Sequence, residues 1–401
     1  MIYLISLIIV LLPTYLIRFS VFGIPSTVLE VLIYAVTLYG IYQARKVGFR
    51  KPSWRIWLSV ALLIIAAVIS TIISPLKHEA LGELKAFFID PLMVAWLIFQ
   101  FFKKEPFDSA QGRDFFKIVW AFGITGLVVA AHAIYQRFTG HLTPDGRVIG
   151  IFGFSPNYLA LFLAPITVLV ATQSLRFQSK KKHLISSILP EIVFIILLFG
   201  IYVSGSRGGL LAVAAGLGAF VIFRYWGWIR QRFSAQVIIA ILILAAIYTS
   251  WTFFKPNFDV SPATGGRVST SNNVRWQIWQ TTLELGAKHP LLGVGLANYQ
   301  KSFGELTKDR ANFPEYITPM ALTPHNIFLM FWLSTGLLGI LGFLGMLVSF
   351  FRAAIWKKSE YTSYLMAVMV SILIYGLIDT PYWKNDLSVI FWTIWGLMIA
   401  I

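Results

Sequence analysis

The stretch Leu184–Phe223, LISSILPEIVFIILLFGIYVSGSRGGLLAVAAGLGAFVIF, decides the fold. Two apolar segments, 184 to 203 and 208 to 223, flank the small polar turn Ser204–Gly209, and that turn carries Arg207. An arginine stays charged at membrane depth, so it needs an anionic partner, a water-filled cavity or lipid phosphates to face. A functional ligand and a membrane anchor are equally good readings of the turn alone.

The rest of the chain extends the pattern. Hydrophobic residues make up 57% of the 401 positions and charged ones 12%, which excludes a soluble domain, where the shares are roughly half and a quarter. Apolar stretches of about 17 to 25 residues fall near 2 to 22, 24 to 42, 54 to 74, 84 to 102, 115 to 138, 154 to 175, 184 to 203, 208 to 223, 235 to 254, 325 to 350, 362 to 379 and 386 to 401. The expected fold is an all-α integral membrane protein with about 12 transmembrane helices, one polytopic domain over residues 1–401. The span at 208 to 223 is short, and Asp90-Pro91 interrupts the fourth.

Charge orients the spans, because cytoplasmic loops collect Lys and Arg. With both termini cytoplasmic, five short loops hold nineteen of the 33 basic residues: Arg45 to Arg55, Lys103 to Lys117, Arg176 to Lys182, Arg224 to Arg232 and Arg352 to Lys358. The net charge of +16 is therefore topogenic. No contiguous basic face suits nucleic acid. The first segment lacks a basic start and a cleavage pattern, so it reads as a retained helix. With no cysteine, disulfides and thiolate metal sites are excluded.

The exceptional connection is the external loop 255–324 between spans nine and ten, far longer than antiparallel neighbours need. Its Trp276, Ile278, Trp279, Leu283 and Leu285 are unlike a disordered segment. Asn272 or Asn273 is positioned to cap a helix from about Val274 to Ala287, ended by Lys288-His289-Pro290. Trp276, Trp279, Leu283 and Ala287 form its apolar stripe, suited to the bundle or the membrane interface. Gly293–Tyr299 then reads as a glycine-permitted turn back toward the membrane.

Three residues carry candidate chemistry. Arg275 falls in the first turn of the expected loop helix, where the dipole favours an anion and a guanidinium would add a bidentate phosphate ligand; a solvated arginine is the alternative. His325, in Thr323-Pro324-His325-Asn326, stands where the tenth span begins and is either a general base or a helix-start residue. Arg207, Arg275 and His325 all fall on the external side. Two cations and a base at one interface suit a lipid-borne phosphate.

Ser204–Gly209, Asn273-Val274-Arg275-Trp276, His289–Gly295, and Pro324-His325-Asn326 followed by Gly336-Leu337-Leu338-Gly339 resemble the successive motifs of the O-antigen ligase and O-antigen polymerase family. Arg147–Gly153 with Ser155-Pro156-Asn157 is similar to its upstream motif. The resemblance is close over roughly 140 to 350 and implies a GT-C-like glycosyltransferase of the cytoplasmic (inner) membrane, with its active site on the external or periplasmic face. Its donor would be a glycan on a polyprenyl (undecaprenyl) diphosphate, its acceptor a hydroxyl of a glycan, lipid or protein. Arg207 and Arg275 would hold the diphosphate, and His325 would be the base.

The chemistry is consistent with that role. A glycosyl diphosphate needs its departing charge stabilised, which suits arginines, and the acceptor hydroxyl benefits from losing a proton to His325. Direct displacement with inversion is expected, since no convincing carboxylate pair supports a retaining route. The scattered external acids, Asp145 to Asp379, show no metal-ligand spacing, so neither metal nor cofactor is expected. Arg147 is a third candidate diphosphate contact, and Asn326 a candidate substrate contact or a shaper of the helix start. Asp379 is suited to a sugar hydroxyl or the histidine, although a cap or a partner for Lys384 is the more ordinary role. Spacing does not separate ligase from polymerase. An anion transporter is a remote alternative, because its charges would sit near the midplane in matching halves.

Overall fold

The structure is a computed structural model describing residues 1–21, 24–102, 110–153, 155–177, 184–232, 258–260, 267–269, 271–310, 321–357 and 359–401. The ninth expected span, the basic runs Lys103-Lys104 and Lys180–Lys182, and parts of loop 255–324 lie outside those residues.

The described chain is a helical membrane bundle. Its helices in order are α1 (Ile2–Val10), α2 (Val28–Val47), α3 (Trp54–Ile73), α4 (Lys77–Leu84), α5 (Asp90–Phe101), α6 (Ala110–Thr139), α7 (Pro156–Phe177), α8 (Leu184–Val203) and α9 (Arg207–Arg232). They continue with α10 (Ser271–Lys288), α11 (Tyr299–Thr307), α12 (Ile327–Lys357), α13 (Glu360–Gly376) and α14 (Asn385–Ala400). Two short antiparallel hairpins qualify the all-α expectation: β1 (Arg18–Val21) with β2 (Ile24–Thr27), and β3 (Phe258–Val260) with β4 (Arg267–Ser269). Among the described residues six helical segments are long and apolar enough to cross a membrane, and three others are apolar but shorter.

Several boundaries differ from those read in the sequence. The first span is not one helix: α1 stops at Val10, Pro13 falls in a 3₁₀ turn at Leu12–Leu16, and the hairpin follows. Proline suits a first turn and disrupts an interior one. α2 starts at Val28 because Thr27 and Glu30 form a capping box, with amide to side-chain distances of 3.2 and 3.1 Å. Asp90-Pro91 does not break the fourth span, because a π-helical stretch at Lys85–Ile89 absorbs the irregularity and Pro91 falls in the first turn that follows. α9 runs past 223 to Arg232, with a kink at Tyr225.

The largest departure is inside α12. Gly336 has φ +69° and ψ −172°, so the helical ladder is cut there. Leu337 N–H donates to the Leu291 carbonyl at 2.8 Å, while Leu333 C=O accepts from Val294 N–H at 2.7 Å. Those two groups would otherwise bond each other in an unbroken helix. The turn after α10 thus fills the break, and unsatisfied backbone at membrane depth is avoided. Gly293 and Gly336 both have φ +69°, and a Cβ on either would lie 2.2 to 2.4 Å from a backbone oxygen of the other segment.

Below the break, Gly342 packs on the Leu63 backbone and Gly345 on Ser59, drawing α12 against α3. Contacts sort the connections into two groups. Ala297 N–H donates to Glu83 (2.9 Å), Ser74 Oγ to Leu296 C=O (2.7 Å), and Lys85 pairs with Glu30 (3.0 Å). These join connections that the charge pattern assigns to the external side. The other group includes Arg50 donating to the Phe99 and Phe102 carbonyls, Lys357 donating to those of Met398 and Ile399, and Lys117 over the Tyr3 ring. Each bonds residues that the same pattern puts on the basic side.

Candidate active site

The turn Ser204–Gly209 is built to hold a helix start against its neighbours. Gly205 takes φ +66°, and a Cβ there would lie 2.6 Å from Arg147 Cδ. Ser206 caps α9 by accepting from Gly209 N–H at 3.3 Å, and its hydroxyl also meets the Tyr375 hydroxyl at 2.7 Å. Gly208 admits the Tyr375 ring, whose Cε2 would be 2.9 Å from an added Cβ. Arg207 is therefore fixed at the first residue of α9 by buried neighbours, yet its own side chain is exposed. Among the described residues it makes no hydrogen bond or ion pair. A cation on a helix's first turn opposes the dipole, a cost that an anion ligand would relieve.

His325 is placed from three sides. Its φ of +47° is left-handed, an uncommon state for a residue with a side chain. The next residue, Asn326, caps α12 through Oδ1, accepting from Phe328 and Leu329 N–H at 3.0 and 3.1 Å, and its Nδ2 donates to Leu377 C=O at 3.1 Å. Trp279 Nε1 reaches the His325 carbonyl at 3.4 Å. The ring's Nδ1 lies 3.2 Å from Asp379 Oδ1. Both polar atoms of Asn326 thus have partners within the chain, which shape the helix start.

α13 ends at Gly376, leaving Asp379 in the connection beyond it, buried. Burial pushes its carboxyl up, but the His325 ring, the Arg275 charge and the Thr380 amide outweigh that and hold it below the usual carboxylate range. Asp379 thus faces His325, while Lys384 is acted on by Asp386 and Glu83. This replaces the more ordinary expectation of an Asp379–Lys384 pair.

Arg275 is half-buried, and its charge bears on both Asp379 and the Tyr375 hydroxyl. The helix that carries it starts at Ser271, three residues earlier than expected, so Arg275 is its fifth residue and not part of the first turn. The dipole argument for Arg275 falls away; the action of its charge on Asp379 remains. Arg147 bonds Asp145 (Nε to Oδ2, 2.6 Å), and Thr143 together with Arg147 holds that carboxyl below its usual range. Its aliphatic stem lies on Gly205.

Tyr375 is the residue that sequence reasoning missed. Its hydroxyl bonds Ser206 and the Asn157 carbonyl (3.2 Å), and its carbonyl accepts from Asp379 N–H at 2.9 Å. It thereby ties the Arg207 turn to the Asp379–His325 pair. The available signal was its spacing: Tyr375 and Asp379 are four apart, neighbours at a helix end. Tyr375→Phe keeps the ring on Gly208 and removes hydrogen bonds worth about 0.5–1.5 kcal/mol each. Turnover of the supported arginine and histidine should fall about three- to tenfold, with thermal stability changed little; kinetics beside a melting curve checks this.

The matched family can now be placed on this geometry. Residues 192–344 match the family model O-antigen ligase. That segment is similar to the O-antigen ligase family. No curated protein matches the chain. Arg207, Arg275 and His325 lie inside the O-antigen ligase segment, whereas Arg147 precedes it and Asp379 follows it. Contacts through Gly205, Tyr375 and His325 bring those two to residues of the matched segment. Among the described residues no group of three or more His, Asp or Glu forms a metal-ligand set.

Proposed function

We propose that the O-antigen ligase site transfers a glycan from a polyprenyl diphosphate to an acceptor hydroxyl, by direct displacement with inversion and without a metal. The observation that carries the reading is the His325–Asp379 pair set beside Arg275 and tied through Tyr375 to the Arg207 turn. Asp379 accepting from Nδ1–H leaves Nε2 unprotonated and able to take the acceptor's proton. The acceptor oxygen then bonds C1 as the C1–O(phosphate) bond breaks. The electron pair leaves with the diphosphate, where Arg207 and Arg275 neutralise the growing charge. Arg147, committed to Asp145, orients the turn from below and is a secondary diphosphate contact.

The topology proposed for this reading has twelve crossings in one domain, both termini cytoplasmic and the site external. It fits the segregation of bonded connections into two groups. A polymerase joining glycan repeats would use the same geometry. The test is binding of a polyprenyl diphosphate glycan to purified protein in EDTA. Wild-type binding should persist, and Arg207→Ala and Arg275→Ala should each weaken it about tenfold or more, the loss of a charged hydrogen bond of roughly 1.5–3 kcal/mol. Undiminished binding in both variants would refute the assignment.

A further inference from the structure

The outward face of α10 carries large apolar side chains where a water-facing helix would be polar, with Gln280 exposed between them. Val274, Ile278, Thr281, Thr282 and Leu285 face inward, while Trp276 and Leu283 are 56% and 52% exposed. Trp276 and Leu283 therefore do not pack as a core stripe, whereas Trp279 turns in against the bundle and reaches the His325 carbonyl. The exposed apolar surface continues into Leu291 and Leu292, 66% and 55% exposed, in the turn that fills the α12 break. That turn is bonded at Leu337, which begins an exposed row of Leu337, Leu341, Leu344 and Val348 down α12. A row of that composition on a membrane helix is its lipid-facing side.

We infer that Trp276, Leu283, Leu291 and Leu292 form a membrane-contact surface, seated at the outer edge of the hydrocarbon in the leaflet on the side of the site. Depth supports it. From Leu337 to Lys357 the helix rises about 30 Å at 1.5 Å per residue, the thickness of a hydrocarbon core. Leu337, and the leucines bonded beside it, therefore lie at the outer hydrocarbon boundary when Lys357 marks the other, and just inside it when Arg352 does. Tryptophan is favoured at that level. The other flank of α10 is wet: Glu284 pairs there with Arg310 (2.5 Å) and Lys288 (3.3 Å). The inference rests on the membrane reading of α12 and not on glycan transfer. Its consequence for transfer is that Arg275, about 100° around the helix from Trp276, sits at headgroup level, where a lipid-borne diphosphate already lies.

The cysteine-free chain allows a clean test. Nitroxide labels at Leu283→Cys, Leu291→Cys and Leu292→Cys, in vesicles of phosphatidylethanolamine and phosphatidylglycerol, are compared with Leu344→Cys as the lipid reference and Lys288→Cys as the water reference. The ratio of oxygen to nickel-chelate accessibility should shift to the Leu344 value at all three. Values like Lys288 would overturn the inference. Low accessibility to both reagents would also overturn it, by showing a protein partner such as a second copy. Because the readout needs no catalysis, its failure leaves the transfer reading standing, and the reverse.

Discussion

His325→Ala is expected to lower glycan transfer by about 10²- to 10⁴-fold, the range for loss of a positioned general base, while binding of the lipid-linked donor stays near wild type. The ring bonds Asp379, on which the Arg275 charge also acts, so its loss removes proton transfer and leaves the guanidinium groups in place. Asp379→Asn should reproduce much of the loss, because an amide in that place no longer fixes the Nδ1–H tautomer. It carries a second signature. Asp379 is held below the usual carboxylate range, so its contribution to stability is present above about pH 4 and is lost only as pH falls through its depressed folded value. The stability gap between wild type and Asp379→Asn should therefore close only on the acid side. Equal losses of donor binding and turnover in His325→Ala would assign the histidine to substrate contact instead of proton transfer.

Gly336→Ala should have the largest effect on folding. With φ +69° and ψ −172° the residue occupies a region essentially open to glycine alone, which costs a side chain about 1–3 kcal/mol, and its Cβ would stand 2.4 Å from the Leu291 carbonyl oxygen. Overpacking adds roughly 1–3 kcal/mol. Gly293→Ala meets the Leu333 oxygen at 2.2 Å from the opposite side and should behave alike. Both variants expel the turn from the α12 break and leave two membrane-level backbone groups without partners. Melting temperature and the folded fraction in detergent report this; a wild-type melting curve for both would show that the turn and the break are not interlocked.

The sequence was most informative where one kind of force acts alone. The apolar run of α8, interrupted only at Ser186-Ser187 and Pro190-Glu191, marks its own ends, 184 and 203, and the charge in Ser204–Gly209 flags the candidate site because a charge at membrane depth calls for a ligand, a cavity or a lipid anchor. Legibility failed where two distant segments share a structure. The break at Gly336 sits inside a run that is apolar but for Ser334-Thr335, and its cause is a turn more than forty residues upstream. The partner of Asp379 was misjudged because Lys384 is near in sequence, whereas His325 is 54 positions away and is delivered by the α12 cap. The α10 stripe was seen as apolar, but periodicity does not say which way a stripe faces. Only the buried Val274–Ile278–Leu285 side resolves that.

The most direct test of the central claim is single-turnover transfer by the purified protein in EDTA, from a polyprenyl diphosphate glycan to a hydroxyl acceptor. The account predicts one free polyprenyl diphosphate per glycoside formed, an inverted anomeric centre, and no product from Arg207→Ala with His325→Ala combined. A retained configuration, an absolute need for a divalent cation, or full turnover in that double variant would contradict it.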